Sequence, residues 1–365
     1  MLDSLYIKNY RNLKELTLKS LGQITLLTGK NNTGKSSVLE AIAIYVAKGD
    51  IRMIYELLER RGELNRRTSA NTTNIVDYNL KAFCSLFTNR EQNFEEEHAI
   101  LIGDNKGSRK LLSLRLVKYF ETQSSEQGLP KRKNIVSQVE MFPYDNLKGL
   151  EIKFETKSNI LSFEFSSNSF RFRPFVADRA LEFVHTDSID KATNSYLWDK
   201  IIFSEKENYV IEALQTIEPT IERLAFIGDN QNERTAIIKL SNVPNTLPLR
   251  SMGDGINRIL TIILALVNAE NGYLLIDEFE NGLHHSVQSK LWEIIFSLAQ
   301  KLNVQVFATT HSKDCIYAFE ESLNDKNNTL TGKLIRLDNK KGMIKEVEFD
   351  AEDLRVFTDN QMEIR

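Results

Sequence analysis

The chain has 365 residues, 41% of them hydrophobic and 27% charged, with 47 Lys and Arg against 50 Asp and Glu for a formal net charge of −3. That length can bury a large core, in about two domains or one elaborated one, and that charge argues against a globally basic nucleic-acid coat while leaving room for a local basic patch. Two cysteines, Cys84 and Cys315, are too few for a disulfide framework and point to a reducing cytoplasm; the opening MLDSLYIKNY lacks a signal pattern, and the longest apolar run, Ile259 to Val267, falls far short of the roughly 20 residues that span a bilayer.

Residues 4 to 19 alternate in two short segments, Leu5/Ile7 and Leu16/Leu18, separated by Asn9 to Asn12, which predicts two strands leading into a third. The third opens the stretch Ile24 to Leu39, ITLLTGKNNTGKSSVL: a short apolar run, a glycine-bounded loop and a helical pattern. It reads GxxxxGKS through Gly29, Gly34, Lys35 and Ser36, the phosphate-binding loop in the strand–loop–helix context that the motif requires. Glycines let successive backbone N–H groups turn toward one phosphate, and the helix points its positive end at the same anion. Lys35 neutralises the outer phosphates and Ser36 offers a hydroxyl to Mg2+. A plain glycine turn with a helix cap would need neither a Lys nor a hydroxyl at those offsets.

Helical spacing follows at Val38, Ile42, Tyr45 and Val46, with Gly49 as a stop, and again at Ile51, Ile54, Leu57 and Leu58. The second pattern runs into Arg60, Arg61, Arg66 and Arg67. Those arginines read either as a contact for a phosphate backbone or, as charge runs more often are, as a solvated helix end and loop. From about Ala99 to Phe175 the period becomes strand-like, with Leu112/Leu114/Leu116, Ile135/Val139, Ile152/Phe154, Leu161/Phe163/Phe165 and Phe170/Phe172. Short strands divided by polar turns predict antiparallel hairpins. Their aromatics could stack bases, yet a Phe stripe at period two is more often core. Glu121 to Lys133 and Ala177 to Ser195 read as surface loops, and helical spacing resumes at Val210, Leu214, Ile217 and Ile221.

The C-terminal third returns to a parallel-sheet style. Ile256 to Val267 is apolar on nearly all sides and predicts a buried helix. Just before it, SMGDG (Ser251 to Gly255) reads as a capped helix start, with Asp254 as the cap, or as an anion site where Gly253 lets backbone approach closely. Tyr273 to Ile276 predicts a buried strand ending on Asp277 and Glu278, Val287 to Leu298 an amphipathic helix, and Val304 to Thr309 a buried strand ending at His311. Acids and a histidine at strand ends fit an open α/β sheet that binds ligand at its strand C-termini. Asp277 is the residue type that holds a loop-bound Mg2+, and Glu278 can deprotonate an attacking water. His311 is placed to hydrogen-bond a terminal phosphate. Lys333 to Val347 predicts a strand-rich tail, and Asp350, Glu352 and Asp353 an acidic surface turn.

In this order Gly29 to Ser36, SMGDG, LLIDEFENGLH (Leu274 to His284) and ATTHS (Ala308 to Ser312) resemble the Walker A, signature, Walker B with D-loop, and H-loop of an ABC-type ATPase. The opening LYIKNYRNLKELTL and the long insertion between the first two motifs resemble the RecF, SMC and OLD branch. GDGINR, ENGLH and QVFATTHSKDC resemble small stand-alone OLD-like ATP-binding proteins without a Toprim domain. The resemblance implies an α/β P-loop NTPase of ABC-ATPase head type: a mostly parallel core sheet flanked by helices, an antiparallel β subdomain and a helical insertion. It places the ATPase core at residues 1–50 and 201–365 and an insertion at 51–200, helical over 51–92, antiparallel β over 99–175, then a linker.

For the site, the resemblance implies nucleotide contacts from Gly29, Asn32, Gly34, Lys35, Ser36 and Ser37, Mg2+ at Ser36 and Asp277, and catalysis by Glu278 and His311 with Lys35. It implies Ser251 and Gly253 arriving from a second copy in a head-to-tail homodimer that sandwiches ATP, with higher oligomers open. Arg11 or Asn12 would lie near the nucleotide, and Gln138 is the candidate for the metal-contacting loop glutamine. Met252 and Asp254 around Gly253, Phe279 after Glu278, and His284 in the D-loop depart from the usual pattern. The implied role is a nucleotide-driven dimerising switch for a separately encoded effector, a Toprim nuclease in anti-phage defence; the alternative is a RecF-like ATP-dependent DNA-binding and repair protein. No membrane partner is implied.

Overall fold

Alternation and burial sort the strands of the computed structural model into three sheets. Residues 1–64, 75–122, 131–134, 147–164, 177–186, 191–228, 234–325 and 328–359 are described. Arg66, Arg67, Ile135, Gln138, Val139, Phe165, Phe170 and Phe172 lie outside them. Strands β1 (Leu5–Tyr10) and β2 (Leu13–Leu18) form a hairpin, and β3 (Ile24–Thr28) leads into the phosphate loop. Helix α1 (Lys35–Val46) follows, then α2 (Ile51–Arg60), whose N-cap Asp50 accepts from Arg52 N at 2.9 Å, and α3 (Ile75–Cys84).

An antiparallel sheet is built from β4 (Ile100–Gly103), β5 (Leu112–Thr122), β6 (Lys131–Asn134), β7 (Leu147–Phe154) and β8 (Lys157–Ser162), and it takes in the N-terminal hairpin in the order β2-β1-β4-β5-β7-β8, with β6 on β5. Phe154 and Phe163 are buried in its core, so neither is free to stack a base.

After β9 (Leu181–Val184) come α4 (Lys191–Asp199) and α5 (Lys206–Ile217), and then a small sheet of β10 (Ile221–Ile227), β11 (Thr235–Leu240) and β12 (Leu247–Pro248). Helix α6 (Asp254–Asn268), β13 (Tyr273–Ile276), α7 (His285–Lys301), β14 (Gln305–Thr309), α8 (Lys313–Leu323), β15 (Gly332–Lys340), β16 (Met343–Phe349) and α9 (Ala351–Asp359) complete the chain.

The core sheet has the order β16-β15-β3-β14-β13-β9. Its neighbours are parallel from β15 to β9, and β16 turns back antiparallel. Side chains alternate across it: Leu274, Ile276, Val306 and Ala308 enter the apolar cluster formed with α4 to α8, while Tyr273, Leu275 and Phe307 enter the cluster formed with α1 to α3 and the antiparallel sheet. Both faces are covered, as a parallel sheet requires. Each fully buried Leu or Ile contributes about 1.5–3 kcal/mol by leaving water, so three layers are locked by packing around β3, β13 and β14.

Several expectations need correcting. Ala177 to Ser195 is not a surface loop: β9 runs through it and pairs parallel with β13, Leu181 opposite Tyr273. Four residues at a sheet edge are too few to show a period. The N-cap of α6 is Gly253, with φ 104°, and Asp254 is the first helical residue. Asp350, Glu352 and Asp353 start a helix: Asp350 Oδ1 accepts from the N–H of Glu352 at 3.1 Å and of Asp353 at 3.0 Å. Strands on either side of residues 50 and 200 share sheets, β1 with β4 and β9 with β13. Among the described residues no helix is long and apolar enough to cross a membrane.

Candidate active site

The parallel strands deliver three loops to one edge. β3 runs into Gly29 and β13 into Asp277, β14 ends at Thr309, and since β14 lies between β3 and β13 the loops converge. Gly29 (φ 137°) and Gly34 (φ 89°) occupy backbone that favours glycine, and a Cβ on Gly34 would come within 2.7 Å of Leu13 while one on Gly29 would meet the Leu337 carbonyl. The loop is therefore pressed against β2 and β15 with no room for side chains. Asn32, with φ 64°, makes the remaining left-handed turn.

Lys35 is only 5% exposed and folds back on its own loop, donating to the carbonyls of Gly29 at 2.7 Å and Lys30 at 2.9 Å. Burial lowers its pKa to about 8, a loss that the attraction of Asp277, Glu280 and Glu278 only partly offsets. Ser36 Oγ donates to Asp277 Oδ1 at 3.0 Å, and the same carboxylate oxygen accepts from Thr309 Oγ1 at 2.6 Å. Thr309 Oγ1 also accepts from the N–H of Glu278 at 2.8 Å, so one hydroxyl fixes both acids. Glu278 takes a left-handed φ of 49°, and its Oε1 lies 3.7 Å from His311 Nε2, both side chains partly open to solvent.

Besides Thr309, two residues that sequence reasoning missed hold this arrangement. Glu280 accepts from the N–H of His311 at 2.6 Å and from Thr310 Oγ1 at 2.8 Å, tying the β13 loop to the β14 loop. Arg258 of α6, 0% exposed, donates to the carbonyls of His185 at 2.5 Å, Asp277 at 2.8 Å and Glu278 at 3.3 Å. Its signal in the sequence was an arginine inside an apolar helical run, which has to find acceptors if it is buried.

A cavity of about 800 Å3 opens above the phosphate loop. Asn32, Gly34, Lys35, Ser36, Ser37, Glu278 and His311 line one part of it, and Arg11, Asn12 and Arg61 another. Arg11 is held by Glu40 at 2.6 Å and Glu63 at 2.9 Å, Arg61 by Glu40 at 2.6 Å and Arg90 by Glu63 at 2.9 Å. Arg61 thus faces the cavity, and Arg60 pairs with Glu56 at 3.2 Å along the helix. Ser251 and Gly253 do not line this cavity; both are exposed, and Ser251 Oγ donates to the Pro248 carbonyl at 2.7 Å.

The departures from the usual motif wording have local causes. Phe279 is fully buried and stacks on Trp292 with ring centroids 4.2 Å apart. Met252 is partly buried against the apolar cluster of α4 to α8. His284 caps α7, its Nδ1 accepting from the N–H of Ser286 at 3.3 Å.

A family profile described as an AAA ATPase domain matches residues 1–316. An ATP/GTP phosphatase of Helicobacter pylori is 23% identical over 355 residues, 90% of this chain and 90% of that protein. The DNA replication and repair protein RecF of Rickettsia prowazekii is 23% identical over 357 residues, 87% of this chain and 96% of that protein. Among solved structures, an SMC head bound to the C-winged helix domain of ScpA matches with a TM-score of 0.51 at 12% identity, over 96% of this chain and 98% of that one. The fold is that of an ABC-ATPase head.

Proposed function

The chain belongs to the AAA ATPase domain family and is an ATPase of the RecF and SMC type, and from that premise we propose that ATP drives it as a dimerising switch. The observation that carries this reading is the split of the motifs: the phosphate loop, Glu278 and His311 meet at one cavity, with Asp277 hydrogen-bonded to Ser36 beneath it, while Ser251 and Gly253 sit exposed and away from its lining. A second copy placed head to tail would bring those two residues onto the nucleotide.

In this reading Gly29, Asn32, Gly34, Ser36 and Ser37 surround the phosphates, and Lys35 exchanges its bonds to the loop carbonyls for phosphate oxygens. Ser36 and Asp277 would hold Mg2+: their oxygens, 3.0 Å apart, are the hard donors that ion takes beside phosphate and water. The ion would neutralise charge on the phosphates. Glu278 takes the proton of the attacking water, and His311 hydrogen-bonds the terminal phosphate. Hydrolysis releases the dimer. The motif wording shared with OLD-like proteins supports a separately encoded effector, a Toprim nuclease in an anti-phage pair, and two buried free thiols suit a reducing cytoplasm.

Glu278→Gln should bind Mg-ATP and remain a dimer in light scattering because hydrolysis is blocked, whereas Lys35→Ala should bind no nucleotide. A Glu278→Gln chain that stays monomeric with saturating Mg-ATP would overturn the sandwich.

A further inference from the structure

Helix α1 begins at the phosphate loop and β13 runs into Asp277, and the opposite ends of these two elements meet a second cavity. Tyr45 lies in the last turn of α1, about 15 Å from Lys35 at 1.5 Å of rise per residue, and Tyr273 opens β13. Both line a cavity of about 480 Å3, within the size range of sites that enclose a small molecule. Tyr45 is 9% exposed and Tyr273 6%, and among the described residues neither hydroxyl has a hydrogen-bond partner. Burial pushes the Tyr45 hydroxyl up to about 12, with the charge of Asp104 adding to it, and burial raises Tyr273 against the pull of Arg179. Both therefore keep their protons at neutral pH. Buried polar groups are normally paired, so two unpaired hydroxyls on one cavity wall mark a place where a ligand supplies the partner.

The charges around this cavity divide in a telling way. Lys48 pairs with Asp178 at 2.6 Å and lies over the Phe154 ring, and Lys110 adds its charge to the same Asp178. Asp3 shares its field with the Met1 ammonium. That leaves Arg179, which acts on Tyr273, and Asp104, which acts on Tyr45. Among the described residues neither of these two side chains makes an ion pair, and Asp104 Oδ1 accepts only from the N–H of Asn105 at 3.0 Å. One cation and one anion are thus held apart, each beside an unpartnered hydroxyl.

We propose that this cavity binds a small zwitterion of the amino-acid type with an apolar side chain, its carboxylate taken by Arg179 and the Tyr273 hydroxyl and its ammonium by Asp104 and the Tyr45 hydroxyl. A tyrosine hydroxyl donates to the one and accepts from the other. A plain anion would be repelled by Asp104 and a plain cation by Arg179, whereas a zwitterion is attracted by both. Its side chain would rest on Leu2, Val46 and Phe154, the apolar part of the lining.

Calorimetric titration of the full chain with L-leucine, L-methionine and L-phenylalanine tests the assignment. At least one should bind with a Kd below about 1 mM. Its analogue without the ammonium (isocaproate for leucine, hydrocinnamate for phenylalanine) and its analogue without the carboxylate (isoamylamine, phenethylamine) should each bind at least about tenfold more weakly. Tyr45→Phe and Tyr273→Phe should each weaken the amino acid by about five- to tenfold, while Mg-ATP affinity and the melting temperature stay as they are. Arg179→Met should bring the amino acid down to the affinity of its carboxylate-free analogue, and Asp104→Asn down to that of its ammonium-free one. No saturable binding of any of the three up to about 20 mM would overturn the proposal. An analogue with one charge that binds as tightly as the amino acid would overturn the zwitterion, and binding untouched by both tyrosine variants would remove the ligand from this cavity.

Discussion

Lys35 couples the site to pH. Its pKa is about 8 against an ordinary 10.5, so the chain without nucleotide loses that proton within an experimentally easy range, while a bound polyphosphate would hold it on. Above pH 8 binding must therefore take up a proton, and ATP affinity should fall by up to about tenfold per pH unit in a titration series. The stability effect has the opposite sense. Below about pH 8 both folded and unfolded chains carry the proton and the cost of burying the charge is fully present. Between about 8 and 10.5 the unfolded chain binds more protons, so stability rises with pH across that window. Lys35→Met should melt higher than the natural chain at pH 7 by a margin that closes toward pH 10. At this scale the sequence was most readable where residues sit in a contiguous motif or at a strand end: Lys35, Ser36, Asp277, Glu278 and His311 do come together at one sheet edge. Thr309, Glu280 and Arg258 were not readable, because their partners come from other loops. Arg258→Met should leave three backbone acceptors short of a donor, at about 1–3 kcal/mol each where water cannot replace it, and loosen the peptide between Asp277 and Glu278. Turnover should then fall more than nucleotide affinity in parallel kinetic and binding measurements.

At the scale of elements, one ionic cluster fastens the phosphate-loop helix to its surroundings. Glu40, on α1 one turn beyond Ser36, accepts from Tyr10 OH at 3.0 Å, Arg11 Nε at 2.6 Å and Arg61 Nε at 2.6 Å, joining α1 to the β1–β2 corner and to the end of α2. Removing one partner of a buried pair strands the other charge, so Glu40→Ala should cost about 3–5 kcal/mol in urea unfolding. Periodicity revealed α1, α2, α6 and α7 because each is long enough to repeat an apolar face. It missed β9, which has four residues, and it missed the small sheet of β10 to β12, where one edge strand leaves the apolar Ala225 and Ile227 exposed in alternation with buried Leu224 and Phe226. The unpaired caps were equally local: Gly253 could not be preferred over Asp254 without the backbone angle. What periodicity did show was the change of style, antiparallel in the middle and parallel in the C-terminal third, which with the strand before the phosphate loop is enough to place that loop and the two acids on one sheet edge.

For the whole molecule the open question is how many chains make one site, and a mixing experiment decides it. If Ser251 and Gly253 act in trans, a Lys35→Ala chain lacks a phosphate loop but keeps a working signature, and a Gly253→Asp chain has the reverse. The Gly253 position favours glycine at φ 104° and meets nothing within 4 Å within one chain, so an added carboxylate would intrude on a partner rather than on its own core, though it pays some backbone strain. Each variant alone should be inactive, because both sites of its dimer are broken in the same way. A mixed dimer has one site with both faults and one with neither. Random exchange at equal concentrations should therefore restore about a quarter of the natural ATPase activity when the two sites fire independently, and still less when each site needs the other. Activity that stays at the sum of the separate variants at every mixing ratio, with exchange verified by subunit labelling, would mean that the site is completed within one chain. Recovery that grows with the fraction of mixed dimer requires the nucleotide to lie between two copies, and then its binding and its hydrolysis are the closing and opening of the pair.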